Sequence, residues 1–236
     1  IGRREGKRTE VARGEAPLAL VPTASPRVRQ LLAEGLAAWR RGDLPATRRS
    51  ALALRTESPP APGAAGLLDC LTFMVEHEGE GRLLGQVEPA RAVAQPLERP
   101  LLEALRGFAS GGDPQQVERT LTSAVEGNAR APELFYLRGA VRRVLDDAPG
   151  AIEDWSRAIE LDPEFVRALN NRGGARQERG DLTGAGADFD RALEVNPDFV
   201  LALNSRSGLR QARGDLPGAL ADLDRAVELE PGMALA

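Results

Sequence analysis

AIEDWSRAIELDP (151–163), AGADFDRALEVNP (185–197) and ALADLDRAVELEP (219–231) are three renderings of one pattern set 34 residues apart. They agree in their Ala columns, in an aromatic or Leu position, in an Asp, in an Arg-Ala pair and in the closing Pro163, Pro197 and Pro231. A fixed period of about 20 to 50 residues marks a solenoid or array, in which each unit buries its apolar face only against its neighbours. Each unit divides into two apolar helical stretches joined by a turn, Arg179 to Asp181 and again Arg213 to Asp215. Gly in that turn accepts a positive φ and Asp caps the helix that follows. Along the second helix Ala185, Phe189, Ala192, Leu193 and Val195 share one buried face.

With small residues at the helix crossings, a large residue between them and a terminal Pro, the chain resembles the tetratricopeptide repeat family. Gly139, Gly173 and Ser207 hold the small position of the first helix. Ala151, Ala185, Ala219 and Ala158, Ala192, Ala226 hold those of the second, and Trp155, Phe189 and Leu223 hold the large one. The resemblance implies an all-α fold: a right-handed superhelix of antiparallel helix pairs, an α-solenoid of about five to six repeats. The departure is in the first helices, where Arg138, Arg172, Arg206 and Arg142, Arg176, Arg210 stand at positions the family usually gives to apolar or aromatic residues.

Counting back by the period predicts contiguous units at 200–233, 166–199, 132–165 and 98–131. Residues 28–57, with the turn RRGDL (40–44), read as another unit, and 61–97 as a degenerate sixth, with SPPAPGAAG (58–66) forming a longer loop. Residues 26–97 are thus a region of degenerate repeats, and residues 1–25 are expected to be a flexible linker. Residues 234–236 read as the start of a further, truncated helix, so the chain is expected to be a piece of a longer protein. Gly173, Gly174, Gly184 and Gly186 make 166–199 the softest of the strong units.

Charge and composition exclude several function classes. A formal net charge of −4 gives no footprint for nucleic acid. No apolar run reaches the roughly 18 residues of a membrane span. One cysteine, Cys70, and one histidine, His77, leave no disulfide and no set of metal ligands. Cys70 in an apolar run reads as core, His77 as a surface side chain, and Trp39 and Trp155 as packing residues. The expected protein is noncatalytic, without cofactor or metal; a cytoplasmic location is favoured over secretion, with no compartment assigned. Of 31 basic residues only Lys7 is lysine, which reads as codon bias of a GC-rich bacterial genome.

The resemblance places the first helices on the inner, concave face. Over 132–145, 166–179 and 200–213 there are ten Arg against two acids, which invites a basic groove. Helical geometry redirects that reading, because at about 100° per residue Arg138 lies roughly 160° and Arg142 about 120° from Tyr136. Those arginines are expected to pair with Asp154, Asp188 and Asp222, or with Asp190 and Asp224, along a seam between the two helices. The face carrying Tyr136 also carries Arg143, Asn170, Gln177, Asn204 and Gln211. An Asn amide donates to and accepts from an extended peptide backbone at once, and Arg167 and Arg143 would attract a carboxylate. The expected function is a protein-interaction scaffold that binds a peptide or protein segment there. The alternative is an accessory region of a larger bacterial enzyme such as a serine/threonine protein kinase. Self-association is a further expectation, because Ala226 and Leu229 at the C-terminal end should lack cover.

Overall fold

A computed structural model describes residues 25–57, 62–75, 87, 90 and 99–230. Within them the chain forms helices α1 (Pro26–Arg40), α2 (Leu44–Thr56), α3 (Pro62–Val75), α4 (Arg99–Ala109), α5 (Pro114–Gly127), α6 (Pro132–Val144), α7 (Ala148–Leu161), α8 (Val166–Glu178), α9 (Leu182–Val195), α10 (Val200–Ala212) and α11 (Leu216–Leu229). No strand occurs among the described residues. Residues 1–24, His77 and 234–236, on which several expectations fall, lie outside them.

The turn chemistry sets where helices begin. Asp43, Asp113, Asp147, Asp181 and Asp215 each accept a backbone N–H of the following first turn, so α2, α5, α7, α9 and α11 all start on an aspartate cap. Gly42, Gly180 and Gly214 in the preceding turns have φ near +80° (78°, 82° and 81°), where a Cβ would be strained. α3 begins at Pro62, so the second half of the stretch expected as a loop is helical. Proline fits a first turn because its missing N–H has no intrahelical partner to lose, and the Ala- and Leu-rich residues that follow are good helix formers.

Consecutive helices pack against one another from α1 to α3 and from α4 to α11. First helices also approach first helices (α1 with α3, α4 with α6, α8 with α10), which puts them on the inner side of a curved stack. Glycine sets the closeness of each pair: a Cβ on Gly139 would stand 2.7 Å from the Trp155 ring and one on Gly173 2.6 Å from the Phe189 ring. Trp155 and Phe189 are fully buried there, as are Ala151, Ala158, Ala185 and Ala192. Cys70 is a buried thiol of α3.

The Arg columns form the expected seam. Arg138, Arg172 and Arg206 each grip an aspartate of the next helix with two nitrogens, Asp154 at 2.9 and 2.7 Å, Asp188 at 3.0 and 2.6 Å, and Asp222 at 2.9 and 2.6 Å. The third nitrogen reaches back to the preceding second helix, at Thr122, Ser156 and Asp190. Arg142, Arg176 and Arg210 add a second cation to the same aspartates. These aspartates are buried, which makes the seam a fixed structural element rather than a surface charge pattern. The carboxylate hydrogen bonds hold the Arg138 and Arg206 guanidinium groups more firmly protonated than usual.

At the C-terminal end Ala226 is buried against α10 and Leu229 is partly buried. The uncovered side chains are instead Leu216, Leu220, Leu223 and Val227 of α11, of which Leu223 stands in the column that Trp155 and Phe189 fill, covered, in the earlier units.

Candidate interaction surface

The inner face carries three columns at the repeat spacing: Tyr136, Asn170 and Asn204; Ala140, Gly174 and Gly208; Arg143, Gln177 and Gln211. Accessibility rises along it. Tyr136, Asn170, Gln177 and Asn204 are partly exposed, and Gly208 and Gln211 are open to solvent. A Cβ added at Gly174 or Gly208 would meet nothing within 4 Å, so bare helix backbone floors a trough flanked by Asn and Gln amides. The Oδ1 atom of Asn170 is shielded from solvent and has no hydrogen-bond partner among the described residues. Arg143 reaches across from α6 to α8, its Nη2 2.5 Å from Glu178 Oε1, an exposed pair of small energetic weight.

The other end of this face is filled by the chain itself. The end of α1 and the turn after it, Trp39 to Gly42, dock where α6, α8 and α10 begin. The Trp39 ring meets Tyr136 and Phe165 edge-on at centroid distances of 5.4 and 5.7 Å. Its indole N–H donates to the Leu71 carbonyl of α3 at 3.0 Å, so α3 and the inner face hold the ring from two sides. Arg40 donates to Glu133 at 2.6 Å, and its Nε stands 2.5 Å from Asp162. Asn196 donates to the Arg41 carbonyl at 2.8 Å, and a Cβ on Gly42 would come within 2.8 Å of the Phe199 ring.

Arg167 is therefore not a free cation of the groove. It is 4% exposed, donates from Nε to the Trp39 carbonyl at 3.0 Å, and lies over the Trp39 and Phe199 rings at 5.5 and 5.6 Å. Burial pulls its pKa down. Tyr136 likewise supplies its ring to Trp39 and Phe165 rather than to an open groove. Desolvation raises its pKa, against the opposing pull of Arg167 and of the Asn171 amide donating to its hydroxyl. The inner face thus splits into a closed end, at Tyr136 and Arg167, and an open end running from Asn170 and Gln177 to Asn204 and Gln211. Sequence reasoning missed Glu133, Asp162, Asn196 and Phe199, whose partners stand 93 and more residues away with no period linking them. The one available signal was Trp39, a large residue in an Ala-rich helix.

Among the described residues no three His, Cys, Asp or Glu side chains cluster as a metal site, and no helix is long and apolar enough to cross a membrane. The paired helices, the glycine-lined crossings and the inner and outer helix sets define a tetratricopeptide-type α-solenoid. No family model and no curated protein matches the sequence. Solved structures are similar in fold. A crystal structure of MamA matches with a TM-score of 0.54 at 19% identity, covering 65% of this chain and 90% of that one. YrrB, described as a TPR protein with an unusual peptide-binding site, matches at 0.52 and 19%, covering 72% and 88%. A chain of the APC/C hetero-tetramer Cut9–Hcn1 matches at 0.60 and 16%, covering 87% of this chain and 40% of that one.

Proposed function

We propose that this protein is a noncatalytic interaction scaffold that holds an extended peptide segment along the open end of its inner face. Asn170, Gln177, Asn204 and Gln211 present amides to the peptide backbone, and Gly174 and Gly208 leave room for it to lie against α8 and α10. Arg143, paired with Glu178, offers a cation at the margin for an acidic side chain. The observation that carries this reading is the bare trough at two positions one period apart, flanked by the partly exposed Asn170 and Asn204. The peptide-binding site named for YrrB, a protein of the same fold, supports the same reading.

Panning a random-peptide phage library on the full chain tests it. Recovered peptides should lose at least ten-fold in affinity against Asn170→Ala/Asn204→Ala and against Gly208→Trp, which fills the trough. Peptides that bind the parent and both variants equally would refute the site. A second surface is favoured by the uncovered Leu216, Leu220, Leu223 and Val227, through which the chain would self-associate. Sedimentation velocity over a hundred-fold concentration range should then show a rising mass that Leu220→Glu/Leu223→Glu removes, whereas a constant monomer mass contradicts it.

A further inference from the structure

The contact that closes the inner face has the anatomy of a bound ligand. Trp39 supplies a ring to an aromatic pair, Arg40 a guanidinium to two carboxylates, and the end of α1 two carbonyls to side-chain donors, Arg167 Nε and Asn196 Nδ2. The Trp39 carbonyl takes the Gly42 N–H at 3.0 Å as well as Arg167, and carbonyls of a last helical turn keep such capacity for an outside donor. We propose that the surface beneath, formed by Glu133, Tyr136, Asp162, Phe165, Arg167 and Phe199, is a second recognition site, selective for a helix ending in aromatic–Arg–x–Gly, and that Trp39 to Gly42 is its resident occupant.

Each element of the motif follows from a contact. The aromatic residue is set by the Tyr136 and Phe165 edges, and the arginine by Glu133 and Asp162, whose two carboxylates face one cation. The residue after it contributes its carbonyl to Asn196, and its own side chain makes only a loose, exposed pair with Glu164 at 3.8 Å. Glycine closes the motif because the φ of +78° and the Phe199 ring exclude a side chain there.

The resident does not saturate the site. Glu133 is fully buried, yet its Oε2 has no hydrogen-bond partner among the described residues, and the Arg40 Nε–H makes no hydrogen bond to Asp162 despite their closeness. Among the described residues no carboxylate pairs with the buried Arg167 cation, which makes closure costly. A segment placing a guanidinium squarely between Glu133 and Asp162 would satisfy the acceptor that Arg40 leaves bare. It competes against an intramolecular occupant at an effective concentration on the order of millimolar, so the site is closed by default and opens to a ligand of matching chemistry. This site is separate from the open trough at Asn204 and Gln211 and does not depend on it.

The test uses the full chain and a fluorescein-labelled peptide with the sequence of residues 26–43, followed by anisotropy. Trp39→Ala/Arg40→Ala empties the site, and the peptide should bind this variant at least ten-fold more tightly than the parent. Adding Glu133→Gln to the variant, or a Gly-to-Val change at the penultimate residue of the peptide, should each reverse the gain by ten-fold or more. Equal binding to parent and variant, or none to a variant that keeps the parent's helical circular dichroism and cooperative unfolding, would overturn the proposal. If the double variant loses its helicity, Arg40→Ala alone serves as host and the same two outcomes decide.

Discussion

Two sets of arginines hold this molecule, one partly buried and one buried, and they differ in kind. In the seam, Arg138, Arg172 and Arg206 sit at the same place in successive units, and each grips a carboxylate 16 residues on and an oxygen 16 residues back. In the clasp, Arg40 and Arg167 occur once each and reach 93 and 128 residues along the chain. Among the described residues each seam arginine meets a carboxylate, whereas the clasp leaves an acceptor bare and a cation without a counter-charge. Repetition therefore marks what stabilises the stack, and the break in repetition marks what closes it.

The largest effect should come from the seam. Asp188→Ala strands Arg172 and Arg176 together in a largely buried place, and removing one partner of such a cluster costs about 3 kcal/mol. Urea unfolding should register that loss; one below about 1 kcal/mol would class the seam with exposed pairs instead. Neighbouring glycines give the next contrast. Gly173→Ala drives a methyl into the Phe189 ring and should destabilise by about 1 to 3 kcal/mol. Gly174→Ala meets open space and should stabilise by up to about 1 kcal/mol through helix propensity alone. Equal effects at the two positions would contradict the close approach of α8 and α9.

A smaller effect reports on the clasp. Tyr136 is the only tyrosine, so tyrosinate absorbance follows it without ambiguity. Its pKa is raised in the folded protein, so the folded ring keeps its proton after the unfolded one, with a pKa of about 10, has ionised. This contribution to stability is present in full below pH ~10 and is lost as pH climbs through the raised value. The native titration should have its midpoint above 10, and Trp39→Ala should bring it down. A midpoint at the ordinary value in the parent would mean that the ring is not under Trp39.

The fold was readable because its causes repeat. The Pro, Ala, Gly and Asp columns fix helix length, crossing and capping locally, and the off-face angle of Arg138 turned it towards the aspartate columns of the second helices, among which Asp154 is its partner. Asn170, Gln177, Asn204 and Gln211 were placed on one face by the same arithmetic. Arg167 shows where it ends. Its position in the repeat puts it beside the groove, but its environment is made by Trp39 and Phe199, brought together by the summed curvature of several units. No single unit encodes that curvature.

The central claim, that the first helical pair closes on the later ones, is tested most directly by a distance between them. Glu34 on α1 and Gln211 on α10 are exposed and Cys70 is buried, so cysteines at the two positions take spin labels selectively. Pulsed electron spin resonance should give one narrow distance distribution in the parent, broadened towards longer distances by Arg167→Gln. A broad distribution in the parent that Arg167→Gln leaves unchanged would show an open solenoid and contradict the account.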